Sequence, residues 1–275
     1  MRPSVLEDLL PRYDVFLLDQ FGTLHDGTAP YPGVPEALRK LRAAGKRVVL
    51  LSNSGKPARD NLQRLSRLGL PASLFDGAMT SGEVALALLA AGRIAAARGA
   101  RRCLLLARDG DGRPLEGVGL AAVPAAEAEL VVIAGSEGER RSLASYEAEL
   151  APLARAGVPA LCLNPDRTML TPRGPAFGAG EIAAMYQRLG GAVTWIGKPY
   201  PAIYAATLES LGNPPRARVA GIGDSIEHDI AGANAAGCAA WLVRTGIASG
   251  LDDAAILSEC RRHGATLDGI LHRLS

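Results

Sequence analysis

The chain has 275 residues, with 30 Lys+Arg against 28 Asp+Glu and only 4% aromatic residues. So balanced a charge gives no electrostatic reason to expect a nucleic-acid or membrane partner, and so few aromatics leave little surface for base stacking. The length suits one large domain or two modest ones, either able to bury a proper core.

Along the chain, Met1 to Tyr13 carries Glu7, Asp8 and Pro11 and has no apolar core of signal-peptide length. The apolar run Val15–Leu18 predicts a buried strand, followed by a helix over Pro35–Ala44, a strand over Arg47–Leu51 and a helix over Ala58–Leu68. A helix-period segment at Glu83–Ala97 is broken by Gly92 and Arg93 and is too short to span a bilayer. Strands are then expected at Cys103–Leu106 and Leu130–Ala134, a helix at Ser142–Ala156 and a strand at Ala160–Leu163. The pattern continues with a helix at Ile182–Leu189, a strand at Val193–Ile196, a helix at Ala202–Leu211 and strands at Val219–Ile222 and Ala239–Val243. Alternation of this kind predicts an α/β fold with parallel sheets covered by helices. Cys103, Cys162, Cys238 and Cys260 are scattered, with no Cys-x-x-Cys pair, and read as buried free thiols rather than disulfides or a zinc site. Arg101-Arg102 and Arg261-Arg262 read as solvated helix ends. A soluble cytoplasmic protein is the expectation.

The residues suited to chemistry fall in two distant blocks, Asp19 to Asn53 and Lys198 to Asp229. This predicts a core domain built from residues 1–80 and 180–275, with an inserted domain over 81–179. Small residues at Thr80-Ser81-Gly82 and Phe177-Gly178-Ala179-Gly180 would serve as its hinges.

Four motifs carry the chemistry. Val15–Leu18 ends in Asp19-Gln20-Phe21-Gly22-Thr23, which puts a carboxylate at a strand's carboxyl end, where open α/β sheets bind ligands. Val48–Leu51 ends in Ser52-Asn53-Ser54-Gly55, a set able to hold phosphoryl oxygens, although such residues usually only make a turn and a cap. In Gly197-Lys198-Pro199 a fixed ammonium can neutralise an anion, though a lone surface lysine is the simpler alternative. Gly223-Asp224-Ser225-Ile226-Glu227-His228-Asp229 brings two carboxylates that, with Asp19, supply hard oxygen ligands for Mg²⁺. Capping by Asp224 and a favourable helix-dipole position for Asp229 are structural alternatives that can coexist with metal binding.

In this order and setting the four motifs resemble those of the haloacid dehalogenase superfamily. The insertion, with Asn164-Pro165-Asp166 and Gly178-Ala179-Gly180-Glu181-Ile182, is similar to the cap of its class IIA, NagD-like and nitrophenylphosphatase-like group. The resemblance runs from about Asp14 to Val243 and implies a Rossmann-like, doubly wound parallel-sheet core with an inserted α/β cap. It implies that Asp19 is a nucleophile forming an aspartyl-phosphate, that Ser52, with Asn53 and Ser54, holds the phosphoryl group, and that Lys198 neutralises the transferring charge. Mg²⁺ would be held by Asp19, Asp224, the Phe21 carbonyl and Asp229, directly or through water. The substrate would be a small phosphorylated metabolite, with Asn164 and Asp166 in a substrate loop. Cap-mediated dimers are common among such relatives, so a homodimer stays open.

One position departs from the pattern. The phosphatases read Asp-x-Asp, and the second Asp protonates the leaving oxygen; here Phe21 stands in its place. Loss of such a group costs about 10²- to 10⁴-fold in rate, most for alkyl phosphates and least for acyl or aryl phosphates. His25 and Asp26 follow closely and are the candidate substitutes. Two other readings remain: a non-catalytic phospho-ligand-binding protein, and a haloacid dehalogenase, which places an aromatic at this position but lacks the acidic pair.

Overall fold

The computed structural model describes residues 4–171 and 174–275; the start of the Met1–Tyr13 segment and residues 172 and 173 of the expected inserted domain lie outside the described residues. Its strands are β1 (Val15–Leu18), β2 (Arg47–Ser52), β3 (Gly77–Thr80), β4 (Arg102–Leu106), β5 (Ala121–Ala122), β6 (Leu130–Ile133) and β7 (Ala160–Cys162). They continue with β8 (Thr168–Thr171), β9 (Gly174–Phe177), β10 (Val193–Trp195), β11 (Val219–Gly223), β12 (Ala239–Val243) and β13 (Gly269–Leu271). The helices are α1 (Leu6–Leu9), α2 (Val34–Ala43), α3 (Ala58–Arg67), α4 (Ser81–Ala90), α5 (Leu143–Arg155), α6 (Ala179–Arg188), α7 (Pro201–Ser210), α8 (Ala231–Ala235) and α9 (Asp253–His263).

The chain divides into two compact units. The first comprises Met1–Ser52, Ala58–Met79 and Lys198–Ser275, and the second Asn53–Pro57 and Thr80–Gly197. The first holds a six-stranded sheet in the order β13-β12-β11-β1-β2-β3, in which β1, β2, β11, β12 and β13 pair in parallel. The chain leaves β1 toward β2 on one side and returns to β11 on the other, so the strand order reverses at β1. In doubly wound sheets the crevice beyond the strand carboxyl ends at such a point is where ligands bind. β1 is buried along its whole length and β2 from Val48 to Leu51, as apolar runs covered on both faces should be. Phe16, Leu18, Leu38, Leu50 and Trp241 share one buried cluster, and the Trp241 indole N–H donates to the Tyr13 hydroxyl at 3.2 Å. Helix α2 shows the local logic: Pro35 sits in its first turn, and Val34, Ala37, Leu38 and Leu41 recur at helical spacing and are buried. Gly45, at φ +68°, follows its end.

The second unit holds a five-stranded sheet in the order β10-β7-β6-β4-β5 and a separate β8–β9 hairpin. Its core joins Val131, Ile133, Tyr146, Leu150, Ile182 and Tyr186. Residues 180–197, placed in the core domain on sequence grounds, pack in this unit, because α6 buries Ile182, Ala183, Met185 and Tyr186 there and β10 pairs with β7. No helix among the described residues is long and apolar enough to cross a membrane.

Candidate active site

Parallel register brings three strand ends of the first unit together. Leu18 lies opposite Leu50 on one side and Ile222 on the other, so Asp19 and Ser52 emerge from neighbouring strands and Asp224 from the next. The Asp19 amide still donates to the Ile222 carbonyl at 3.0 Å, which holds it at the end of the ladder. Lys198, 3% exposed, reaches this point from the loop before α7. Its Nζ donates to Asp19 Oδ1 at 2.5 Å and to Asp229 Oδ1 at 2.7 Å. Thr23 Oγ1 lies 3.4 Å from Asp19 Oδ2.

Asp224 and Asp229 follow β11 as the sequence places them, but their local bonds differ from simple capping. Ser225 caps the turn Ile226–Ile230, its hydroxyl accepting from the His228 amide at 3.2 Å and lying 3.1 Å from His228 Nδ1. Asp224 instead accepts the Ile247 amide on Oδ2 at 2.6 Å. Asp229 accepts the Ser225 amide on Oδ2 at 3.0 Å, so it braces the turn and pairs with Lys198 at once. Glu227 and His228 are half-buried beside them. Tyr204 Oη lies 3.3 Å from the Asp229 carbonyl.

Close approach here depends on missing side chains. Gly22 has φ +86°, and a Cβ there would lie 2.2 Å from Asp224 Oδ2; one on Gly223 would lie 2.1 Å from the Asp229 carboxyl group. The segment Thr245–Ile247 belongs to the site and escaped the sequence reading. Thr245 Oγ1 donates to the Gly22 carbonyl at 2.5 Å, and a Cβ on Gly246 would collide with Asp224. Its signal was a Thr-Gly pair just past the apolar run Ala239–Val243, the setting shared by the other strand-end motifs. Gln20 also went unremarked: it is buried, and its Nε2 finds no hydrogen-bond partner among the described residues.

Asp19, Asp224 and Asp229 each offer a carboxylate oxygen within 4.8 Å of the others. Three buried or half-buried carboxylates against one ammonium leave negative charge uncompensated, which low-dielectric surroundings penalise. Burial pushes Asp19 up to about 7 against the pull of Lys198. Burial, followed by the charges of Asp19 and Asp229, pushes Asp224 up to about 8. For Lys198 burial opposes the charge, but Asp19 and Asp229 outweigh it and hold the ammonium above its ordinary range. A cluster of hard oxygen donors with surplus negative charge fits a divalent cation such as Mg²⁺.

Phe21 is 41% exposed, its ring edge-to-face with His25 at 5.7 Å and packed over Gly27. His25 is buried, and its Nδ1 accepts the Gly27 amide at 2.9 Å. Burial, with help from the Arg64 charge, lowers His25 to about 4, leaving a neutral imidazole at pH 7. Asp26 Oδ1 accepts from the Thr28 hydroxyl and from the Thr28 and Ala29 amides, bonds that hold its carboxyl at about 2. Neither side chain that follows Phe21 is a protonated acid near neutral pH.

The other sequence-predicted residues lie in the second unit, where they form their own network. Asn53 Nδ2 donates to Asp166 Oδ1 at 2.8 Å, the Asp166 amide donates to Asn164 Oδ1 at 3.0 Å, and Ser54 Oγ accepts the Lys56 amide at 3.1 Å. Asn164-Pro165-Asp166 is therefore an Asx turn tied by its Asp to Asn53. The Ser81 hydroxyl donates to the Asn53 carbonyl at 2.9 Å.

The family model described as haloacid dehalogenase-like hydrolase matches residues 16–121, and a HAD-hydrolase-like model matches residues 195–266. The chain is 30% identical over 264 residues to haloacid dehalogenase-like hydrolase domain-containing protein 2 of Rattus norvegicus, covering 94% of this chain and 96% of the relative. A crystal structure of a haloacid dehalogenase-like family hydrolase from Brucella suis aligns over 100% of both chains with a TM-score of 0.86 and 28% identity. The glycerol phosphate phosphatase of Mycobacterium tuberculosis, solved in complex with magnesium, aligns with a TM-score of 0.74 and 26% identity, covering 99% of this chain and 78% of its own. The chain belongs to the haloacid dehalogenase-like hydrolases, in the class IIA group of NagD-like and nitrophenylphosphatase-like members.

Proposed function

We propose that this hydrolase removes phosphate from small phosphorylated metabolites through an aspartyl-phosphate on Asp19, with Mg²⁺ as its cofactor. The observation that carries the reading is the convergence of Asp19 with Lys198 at 2.5 Å and with the carboxylates of Asp224 and Asp229. The metal would be held by Asp19, Asp224 and the Phe21 carbonyl. Asp229, both of whose oxygens accept hydrogen bonds from Lys198 and Ser225, would act through water. When bound, Mg²⁺ supplies positive charge to the phosphoryl oxygens and to the carboxylates around it.

The chain's own residues do the rest. Asp19 Oδ2 attacks phosphorus, while Oδ1 stays paired with Lys198. Lys198 favours the ionised form of Asp19 against its burial and offsets charge on the transferring group. Ser52, at the neighbouring strand end, donates to a phosphoryl oxygen, with Asn53 and Ser54 continuing that loop. Asp229 fixes the Lys198 ammonium and is itself fixed by the turn after β11. Asn164 and Asp166, in the second unit, are assigned to substrate recognition. The acidic cluster supports phosphate chemistry over halide displacement, which has no use for it. A cytoplasmic location belongs to the same reading and is supported by four cysteines present as free thiols.

Phosphate release from a panel of phosphate monoesters, with Mg²⁺ or with EDTA, tests the proposal. Turnover should require Mg²⁺ and disappear in Asp19→Asn. Turnover that survives in the folded variant, or that ignores EDTA, would exclude Asp19 or the metal. A protein that binds phosphate with Mg²⁺ yet never turns over would instead be a phospho-ligand binder.

A further inference from the structure

The loop Gln20–Pro30 contains only two titratable side chains, His25 and Asp26. Its geometry assigns both to structural work. The His25 ring is 1% exposed, with its edge against Phe21 and its Nδ1 occupied as an acceptor by the Gly27 amide. Asp26 accepts three hydrogen bonds on one oxygen, which holds the turn Asp26–Ala29 as an Asx turn. Bridges Phe21–His25 and His25–Pro30 close the loop around the aromatic ring. The position two residues after Asp19 thus carries a fixed, half-exposed phenyl ring, and the loop offers no proton donor beside it. Lys198 is not a substitute, because its ammonium is bound to Asp19 and Asp229.

A phosphate ester cleaved without a proton donor must release its leaving group as an anion. An alkoxide is about as basic as hydroxide, whose parent water has a pKa of about 15.7; a phenolate comes from an acid of about 10, and a carboxylate from one of about 4. Resting on the phosphatase reading above, we propose that the enzyme is selective for phosphates with acidic leaving groups, namely acyl and aryl phosphates, and that its aspartyl-phosphate accumulates during turnover. In the first step the Asp19 carboxylate forms a bond to phosphorus, the bond from phosphorus to the leaving oxygen breaks, and carboxylate or phenolate departs with the electron pair. In the second step water attacks the same phosphorus, the bond to Asp19 breaks, the carboxylate is regenerated and the water proton passes to phosphate or bulk solvent. With an acidic leaving group the first step needs no acid, whereas water attack in the second still lacks its base, so the second becomes the slow one.

The test is a leaving-group series on the full chain with Mg²⁺, using acetyl phosphate, 4-nitrophenyl phosphate, phenyl phosphate and glycerol 3-phosphate, with Asp19→Asn as control. Expected are a kcat/KM for acetyl phosphate at least about 10²-fold above that for glycerol 3-phosphate, a burst of one leaving group per site, and similar kcat values for acetyl and 4-nitrophenyl phosphates. Glycerol 3-phosphate turned over within tenfold of acetyl phosphate, or release without a burst, would overturn the inference while leaving the phosphatase reading standing. No Mg²⁺-dependent release from any member, together with no phosphate on Asp19, would sink both.

Discussion

Replacing Lys198 by methionine keeps the length of the side chain and removes its charge. In the native site the ammonium is buried and donates to Asp19 at 2.5 Å and to Asp229 at 2.7 Å. Breaking a buried ion pair by removing one partner costs about 3–5 kcal/mol, because the other charge is left uncompensated. For a unit of this size each kcal/mol lowers Tm by about 2–4 °C, so Lys198→Met should lower the transition of the first unit by roughly 6–20 °C in EDTA. The shift is read on the transition assigned to that unit, by calorimetry with circular dichroism. Surplus carboxylate charge should also make Mg²⁺ stabilise the variant more than the parent, since a ligand that prefers the folded site raises its stability by mass action. A fall of less than about 2 °C in EDTA, with an unchanged Mg²⁺ response, would refute the claim that Lys198 is the counter-ion of a strained acidic cluster.

Gly22→Ala should cost at least about 1–3 kcal/mol, because φ is +86° and the new methyl would meet Asp224 Oδ2 at 2.2 Å; denaturant melts would show this, and a Mg²⁺ titration should show weaker binding. His25 gives a pH signature: its folded value of about 4 lies below the ordinary 6.5, so stability is full above pH 6.5 and falls as pH drops toward 4. The loss approaches about 3 kcal/mol at 1.36 kcal/mol per unit, and a melt series should lose that part of its slope in His25→Leu. An unchanged slope would place a proton on the imidazole or expose it.

Much of the fold was legible because buried parallel strands read as plain apolar runs. Val15–Leu18 and Ala239–Val243 appear with the expected limits, and Leu130 to Ile133 forms a strand buried throughout. Three of the strands that escaped lie at sheet edges. Gly77–Thr80 and Gly269–Leu271 are the edges of the six-stranded sheet, and Ala121–Ala122 is an edge of the five-stranded one. The β8–β9 hairpin is spelled Thr-Met-Leu-Thr and Gly-Pro-Ala-Phe, where Gly and Pro speak for a loop. Helix Asp253–His263 was also missed, although Asp252 caps it and Gly264 follows it at φ +60°; its charged composition buries only Ile256 and Cys260. In the candidate site, Asp19 and Asp224 could be singled out because a strand end precedes each. What the sequence could not reveal was how polar groups were spent: that Ser225 rather than Asp224 caps its turn, that Thr245 holds the Gly22 carbonyl, and that His25 and Asp26 are occupied. Those are facts of hydrogen bonding between residues far apart in sequence or locked within one turn, and no periodicity encodes them.

The most direct test of the central claim is to quench the enzyme in acid during turnover of acetyl phosphate with Mg²⁺ and map the phosphorylated residue by mass spectrometry. The account predicts phosphate on the peptide carrying Asp19, absent in Asp19→Asn and absent without Mg²⁺. Phosphate on another residue, or turnover with no trapped phosphate, would contradict it.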